Sequence, residues 1–228
     1  MKRKIALGLS VAMLCLPVCA QEAPADWIAA SNQYTNMLLA VEMKHNPEEG
    51  SDEGLSRFDT EVSQPTLADE DQERKQTEAV ISTFKSAVGQ QKQKEVAQDL
   101  EIMIRKVELQ FREQDFARAH KVDFLNASRF VFRGLQILLD EQTPAERRAA
   151  AVVRIRKYAG LEPGYKPLTA ILKQRVMEQM AKPGMVYPAR TEIETELARD
   201  PTYMEGFATL LRKYKLTDWQ EAYNKLKS

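Results

Sequence analysis

The chain has 228 residues, 43% hydrophobic and 29% charged, which suits one well-buried domain or two small ones and excludes a disordered or fibrous protein. Thirty-three basic residues balance thirty-three acidic ones, so no net field draws the protein towards nucleic acid or an anionic membrane surface. Both cysteines, Cys15 and Cys19, fall within the first twenty residues.

Those twenty residues read as a secretory signal peptide. Lys2, Arg3 and Lys4 form a basic start, Ile5 to Leu16 an apolar run too short to span a bilayer, and Val18-Cys19-Ala20 a small-residue cleavage site before Gln21. Lipidation of Cys19 is disfavoured by Pro17 and Val18 in front of it. Cleavage predicts an exported chain, periplasmic or extracellular, without a stable membrane anchor. It also removes every thiol and three positive charges, leaving thirty basic against thirty-three acidic residues.

Residues 21–228 are expected to form a single helical domain. Ala25 to about His45 has helical apolar content (Trp27, Ile28, Tyr34, Met37, Leu38, Val41, Met43) and is expected to end at Pro47. Glu48 to Pro65, acidic and glycine-bearing, reads as a loop pinned by Leu55 and Phe58. Its acids lack the alternating spacing and closing Glu of a calcium loop. Ala68 to Val88 reads as a second helix, with Thr66, Asp69 and Glu70 as start signals and Gly89 as its stop.

The stretch from Val96 to Phe116, within a helix of about 92–119, carries two apolar stripes. Val96, Leu100, Met103, Ile104, Val107 and Phe111 lie on one side, Ile102, Leu109 and Phe116 on the other, with Glu101, Arg105, Glu108 and Arg112 along one seam. One stripe suffices for a surface helix. Two predict a central helix of a layered all-α domain, covered on both faces. Where Gln114 and Arg118 replace the stripe, the helix is expected to leave the core rather than border a polar cavity.

Asn126 to Asp140 is the most apolar helical run. Thr143-Pro144-Ala145-Glu146 reads as a capping box with Pro at the first helical position, opening a helix that ends at Gly160. Pro167 starts another helix, which stops before Lys182-Pro183-Gly184. Thr191 to Glu194 reads as a second capping box, and Asp200-Pro201 as a cap for a helix running towards Tyr214. A last helix from Thr217 carries Trp219, Ala222, Tyr223 and Leu226 on one face. No strand alternation longer than a few residues occurs, so the predicted class is all-α with no sheet.

Chemistry has no visible home. His45 and His120 have no second His or Cys at ligand spacing, and each is expected to serve the carbonyls at its helix end. No His-Glu-x-x-His, Gly-x-Ser-x-Gly, Walker loop or dinucleotide fingerprint is present. Glu192, Glu194, Glu196 and Asp200 are expected to offset helix dipoles, and Tyr158, Tyr165 and Tyr187 to pack against the Pro/Gly turns. No catalytic, cofactor-binding or metal residue is assigned, and no cofactor is expected.

Three stretches carry a family resemblance: Arg147 to Tyr165 (Arg-Arg-Ala-Ala-Ala-Val-Val-Arg-Ile-Arg-Lys-Tyr-Ala-Gly-Leu-Glu-Pro-Gly-Tyr), Gln179 to Pro188, and Glu194 to Asp200. With Gly54-Leu-Ser-Arg-Phe-Asp59 and Glu108-Leu-Gln-Phe111, the text resembles the N-terminal part of the secreted bacterial domain-of-unknown-function 885 family. The resemblance implies an extended helical, metallopeptidase-like fold in which a His-Glu-x-x-His helix of the C-terminal half holds zinc and a Glu activates water. These 228 residues contain no such helix, so no family site residue carries over. The expectation is an exported, shortened relative, catalytically silent alone, whose partner is a C-terminal half encoded downstream. The alternative is a free-standing periplasmic interaction or chaperone-like helical protein. If the missing half is the partner, Trp219, Tyr223 and Leu226 are expected to stand exposed.

Overall fold

A computed structural model describes residues 26–227; the signal-peptide reading, with Cys15 and Cys19, lies outside them. Among the described residues the protein is all-α, a packed multi-helix structure with no strand and one isolated bridge between Lys121 and Val186. Its helices are α1 (Asp26–His45), α2 (Pro47–Asp52), α3 (Leu67–Val88), α4 (Lys94–His120), α5 (Ala127–Leu139), α6 (Ala150–Tyr158), α7 (Leu168–Met180), α8 (Arg190–Leu197), α9 (Asp200–Lys213) and α10 (Gln220–Lys227).

Two apolar cores form. In the smaller, α1, α3 and α4 close around Phe84, Ile81, Val96, Leu100 and Val107, with Tyr34 edge-on to Phe84 at 5.4 Å. The larger is built on α5, whose Val131, Leu135, Leu138 and Leu139 meet Ile155 and Tyr158 of α6 and Phe207 and Leu211 of α9. Because α2, α6, α7 and α9 all pack on α5, that helix is the hub of the fold.

Helix α4 therefore differs from its expected role. Its Val96–Leu100–Val107 stripe is buried, but Ile102, Leu109 and Phe116 are 57, 50 and 58% exposed. Periodicity reports an apolar face, whereas burial also needs an element to cover it, and among the described residues the helices that pack closely on α4 are α1 and α3, both on its other side. The far end of α4 also departs from expectation. Gln114 lines a polar cavity of about 280 Å³ between α1, α3 and α4, and Arg118 stays bound to Glu70, Asp71 and the Leu67 carbonyl of α3.

Several ends match their signals. The Thr66 hydroxyl caps α3 at the Asp69 amide (3.0 Å), Asn126 caps α5 at the Arg129 amide (2.9 Å), and Gly160 leaves α6 at φ +65°. Others do not. Pro47 starts α2 as well as following α1, so the expected loop from Glu48 contains a helix and a 3-10 turn at Ser56–Phe58. Thr143 turns back to the Ile137 carbonyl (2.8 Å); a 3-10 turn follows at Ala145–Arg147, and α6 begins only at Ala150. Thr191 lies inside α8, which starts from Ala189 without a side-chain cap, and Arg199 holds the cap position of α9.

The last helix is docked. Trp219 is 5% exposed with its indole N–H on the Leu216 carbonyl (3.0 Å), and Tyr223 sits edge-on to both Phe207 and Trp219 at 5.7 Å. The expectation of an exposed α10 face is thus overturned, since α6 and α9 supply the partner. Only Tyr223 and Leu226 keep an open edge.

Candidate functional site

The segment between α2 and α3 has few apolar groups to hold it, and polar groups do so instead. Asp59 is buried and takes two bonds from Arg147, at 2.8 Å from Nε and 2.6 Å from Nη2, and one from the Ser51 hydroxyl at 2.7 Å. Burial pushes its carboxyl up, but the bonds and charge of Arg147, with Ser51 and the Arg154 charge, together bring it below the usual value. Arg154, fully buried, donates to the carbonyls of Gly134 (2.6 Å), Glu61 (3.1 Å) and Phe58 (3.1 Å). Glu48 receives the Ser63 amide and the Tyr158 hydroxyl (2.6 Å). Complete burial, reinforced by the Glu48 charge, pushes the Tyr158 phenol well up, so it stays a donor. Glu61 accepts from Lys157 (2.9 Å) and Tyr165 (3.0 Å), and the Lys157 bond draws its carboxyl down despite burial.

Asp59, Arg147, Arg154, Tyr158 and Gly160 are residues that carry the family resemblance. Each of these side chains is spent on another part of the fold, and Gly160 on closing α6. These side chains are engaged by internal partners and hold the segment between α2 and α3 against α5 and α6.

His45 is not a helix-end cap. It is 5% exposed, with Nδ1 2.9 Å from an Asp69 oxygen and Nε2 3.4 Å from Gln76, joining α1 to α3. Beside it, burial raises the Glu73 carboxyl, which the His45 charge opposes and Asp69, Glu42 and Glu70 support. His120 lies exposed, its ring 4.8 Å from Phe116 and its carbonyl accepting the Val186 amide (2.7 Å). Among the described residues no group of three or more His, Cys, Asp or Glu side chains is placed to hold a metal ion. Nor is any helix there long and apolar enough to cross a membrane.

The acids from Glu192 onward scatter. Glu194 pairs with Arg190 and Glu196 with Arg199, while Asp200 accepts from Asn126 (2.7 Å) and Ser128 (2.5 Å). Only Glu192 and Asp200 stand in a first helical turn. Of the tyrosines, Tyr158 and Tyr165 are packed and bonded, whereas Tyr187 is 52% exposed.

What the fold leaves open is an apolar groove of about 740 Å³ between α7, α9 and α10 and the start of α5. Leu125, Val176, Met177, Leu197, Met204 and Leu226 line it, and the Asp200–Ser128–Asn126 cluster forms its polar end. Two lysines stand on its rim, Lys173 on α7 and Lys227 on α10, and neither has an ion-pair partner among the described residues. Helix α7 is turned against the usual pattern: it buries Arg175 and Gln179 and exposes Met177 (61%) and Met180 (48%). The buried Arg175 bridges Glu70 (2.5 Å) and Asp123 (2.9 Å), and Gln179 brackets Asp123, so tertiary partners fix that orientation. The sequence reading missed the groove. Its one local signal is the Val176-Met177 pair and Met180, which fall outside the buried stripe of Leu168, Ile171 and Leu172.

No family model, no curated protein and no solved structure matches this chain.

Proposed function

We propose that this protein is an exported helical binding module, similar to the N-terminal portion of the domain-of-unknown-function 885 proteins, that acts by docking a polypeptide rather than by chemistry of its own. The observation that carries the reading is the outward turn of α7. A helix that buries Arg175 and Gln179 while presenting Val176 and Met177 gives the groove an adaptable apolar wall that folding leaves free. The groove's volume falls within the range of ligand sites, and its open position between helices suits a helix laid in a groove. Lys173 and Lys227 carry no ion pair among the described residues, whereas the groove's carboxylates are already engaged, Glu205 by Arg212 and Asp200 by Asn126 and Ser128. The occupant that fits is therefore an amphipathic segment whose apolar face is flanked by acidic residues. Under the family resemblance, a zinc-bearing domain of the kind found in the family's C-terminal half would supply such a segment.

The test is fluorescence anisotropy with labelled amphipathic peptides that differ only in acidic or basic flanks. Acid-flanked peptides are expected to bind more tightly. Leu197→Glu, at a position 49% exposed, should abolish binding without unfolding the protein, and Lys173→Glu with Lys227→Glu should reverse the preference. Binding by no peptide, or binding indifferent to all three substitutions, overturns the proposal. Metal analysis after dialysis and a peptidase assay on mixed peptides address the silent chemistry. Stoichiometric zinc with chelator-sensitive cleavage would refute it.

The exposed methionines also favour a second reading, a chaperone-like holder of unfolded chains. Flank-independent binding together with suppressed aggregation of a denatured client selects that reading over the first.

A further inference from the structure

Phe124, Leu125 and Asn126 line the groove and also a second cleft of about 640 Å³, which lies between α5 and α8. The two cavities share that wall, so a chain bound in one can extend into the other. Their chemistry differs. Helix α5 brings Arg129 and Arg133 to the cleft one turn apart, and the α8 side brings Glu192, Glu196 and Arg199.

Two like charges at i and i+4 disfavour the helix that bears them, and α5 has no Asp or Glu anywhere along its length to offset them. Tertiary partners do not make up the difference. Arg133 has no ion-pair partner among the described residues, although Glu49, Asp52 and Asp140 line a further cavity that it also borders. Glu196 is held by Arg199 at 2.9 Å and stands 3.6 Å from Arg129, and its oxygen on the Arg129 side accepts no hydrogen bond. Neither guanidinium of α5 therefore donates a hydrogen bond among the described residues, and both forks are free to hold an incoming acceptor. Glu192 opposes an anion here, but it sits in the first turn of α8, where the helix N-terminus offsets its charge. Three guanidiniums thus face two carboxylates, of which Glu196 is already taken.

We propose that this cleft receives a carboxylate carried by the polypeptide that docks in the groove, held between the forks of Arg129 and Arg133. Docking of a polypeptide in the groove is presupposed; the cleft adds the contact that fixes where the chain goes beyond its apolar face. A planar fork matches a carboxylate, and Phe124, Leu125 and Phe130 give the chain leading to it an apolar bed. The carboxylate is a Glu or Asp side chain or the C-terminus of the bound chain. Arg129 is 40% exposed at its side chain and Arg133 is exposed, so water screens the contact and its gain in affinity is about fivefold.

Fluorescence anisotropy with a peptide that fills the groove, and with versions lengthened at either end by a short flexible segment, tests the assignment. The segment carries Glu or Gln, and at the C-terminal end the chain closes in a free carboxylate or an amide. At one end a carboxylate is expected to tighten binding about fivefold over its neutral counterpart. Glu with an amide end, set against Gln with a free carboxylate, tells side chain from terminus. Arg133→Gln, at a residue without an ion-pair partner, should remove most of the gain, and adding Arg129→Gln should remove the rest. Glu192→Gln should enlarge it. The unlengthened peptide should bind these variants as it binds the wild type, because none of the three residues lines the groove, and helicity by circular dichroism should not change. No gain from a carboxylate at either end, a gain that survives Arg129→Gln with Arg133→Gln, or one reduced by Glu192→Gln would overturn the carboxylate site and leave the groove standing. Failure of the unlengthened peptide to bind would overturn the groove and the carboxylate site together.

Discussion

Replacing Asp59 by asparagine removes one charge and almost no volume, which isolates what the buried clamp on the 47–65 segment contributes. The magnitude depends on whether Asp59–Arg147 behaves as a surface or an interior pair. The two side chains are 7% and 13% exposed, so solvent screens them little. Exposed pairs are worth about 0–1 kcal/mol. Breaking a buried pair from one side costs about 3–5 kcal/mol, because the remaining charge is stranded. The asparagine carbonyl can still accept from Ser51 or from one Arg147 nitrogen, so the low end applies, about 3 kcal/mol. For a domain of this size that lowers the thermal midpoint by roughly 6–12 °C. Glu194→Gln, which breaks a pair 56% and 89% exposed, is the control and should stay within about 0.5 kcal/mol. The pH dependence has a definite sign. Asp59 is held below its ordinary value, so its contribution is full above the unfolded carboxylate range and is lost as pH falls through the lowered folded value. The gap between wild type and Asp59→Asn should therefore narrow in acid below pH ~4. Urea denaturation across pH, with Arg147→Met and the double variant, measures all of this. A loss under about 1 kcal/mol, or single-variant losses that simply add, would refute the clamp.

Val107→Asp and Leu109→Asp separate the two faces of α4. The first buries an unpaired charge at a position 5% exposed and should cost several kcal/mol, whereas the second, at 50%, should change the unfolding free energy by about 0.5 kcal/mol or less in urea denaturation. Gly134→Ala should destabilise by about 1–3 kcal/mol, since a methyl there collides with the buried Tyr158 hydroxyl, and Tyr158→Phe should recover part of that loss in a double-variant cycle. Tyr158→Phe alone leaves Glu48 one donor short inside the protein and should cost about 1–3 kcal/mol by the same denaturation assay.

The helices of the smaller core were legible because their signals are local. Thr66 has no competing partner and caps α3 where the pattern places it. Two expected caps failed because another group took the capping residue: Asp200 is drawn to Ser128 of α5 and to its cap Asn126, and Thr143 closes α5 behind it rather than opening the next helix. Pro47 misled for another reason, since the same ring stops one helix and starts the next. Periodicity found both stripes of α4 but carries no information on which stripe has a neighbour. The buried cations were invisible. Arg154 binds carbonyls 93 and 96 residues away, and Arg175 its Asp123 52 residues away, so no spacing on their own helices marks them. The groove follows from that blindness, because Arg175 and Gln179 decide which way the methionines of α7 point.

The two apolar cores do not merge, and polar groups help to set one against the other. Apolar burial is non-directional and tolerates sliding, whereas a forked guanidinium on a carboxylate fixes distance and angle. Glu70 of α3 illustrates this, since it receives Arg118 from α4 and Arg175 from α7 at once, tying the smaller core to the wall of the groove. Glu70→Gln should loosen that tie and leave Arg175, 6% exposed at its side chain, with Asp123 as its remaining ionic partner. Each core keeps its apolar contacts in that variant. The groove is lined only by residues from Phe124 onward, so Glu70 touches it solely through Arg175 of α7. Glu70→Gln is therefore expected to weaken peptide binding through a looser α7 while leaving helicity by circular dichroism unchanged, and an unaltered peptide affinity would show that Asp123 alone holds the α7 wall in place.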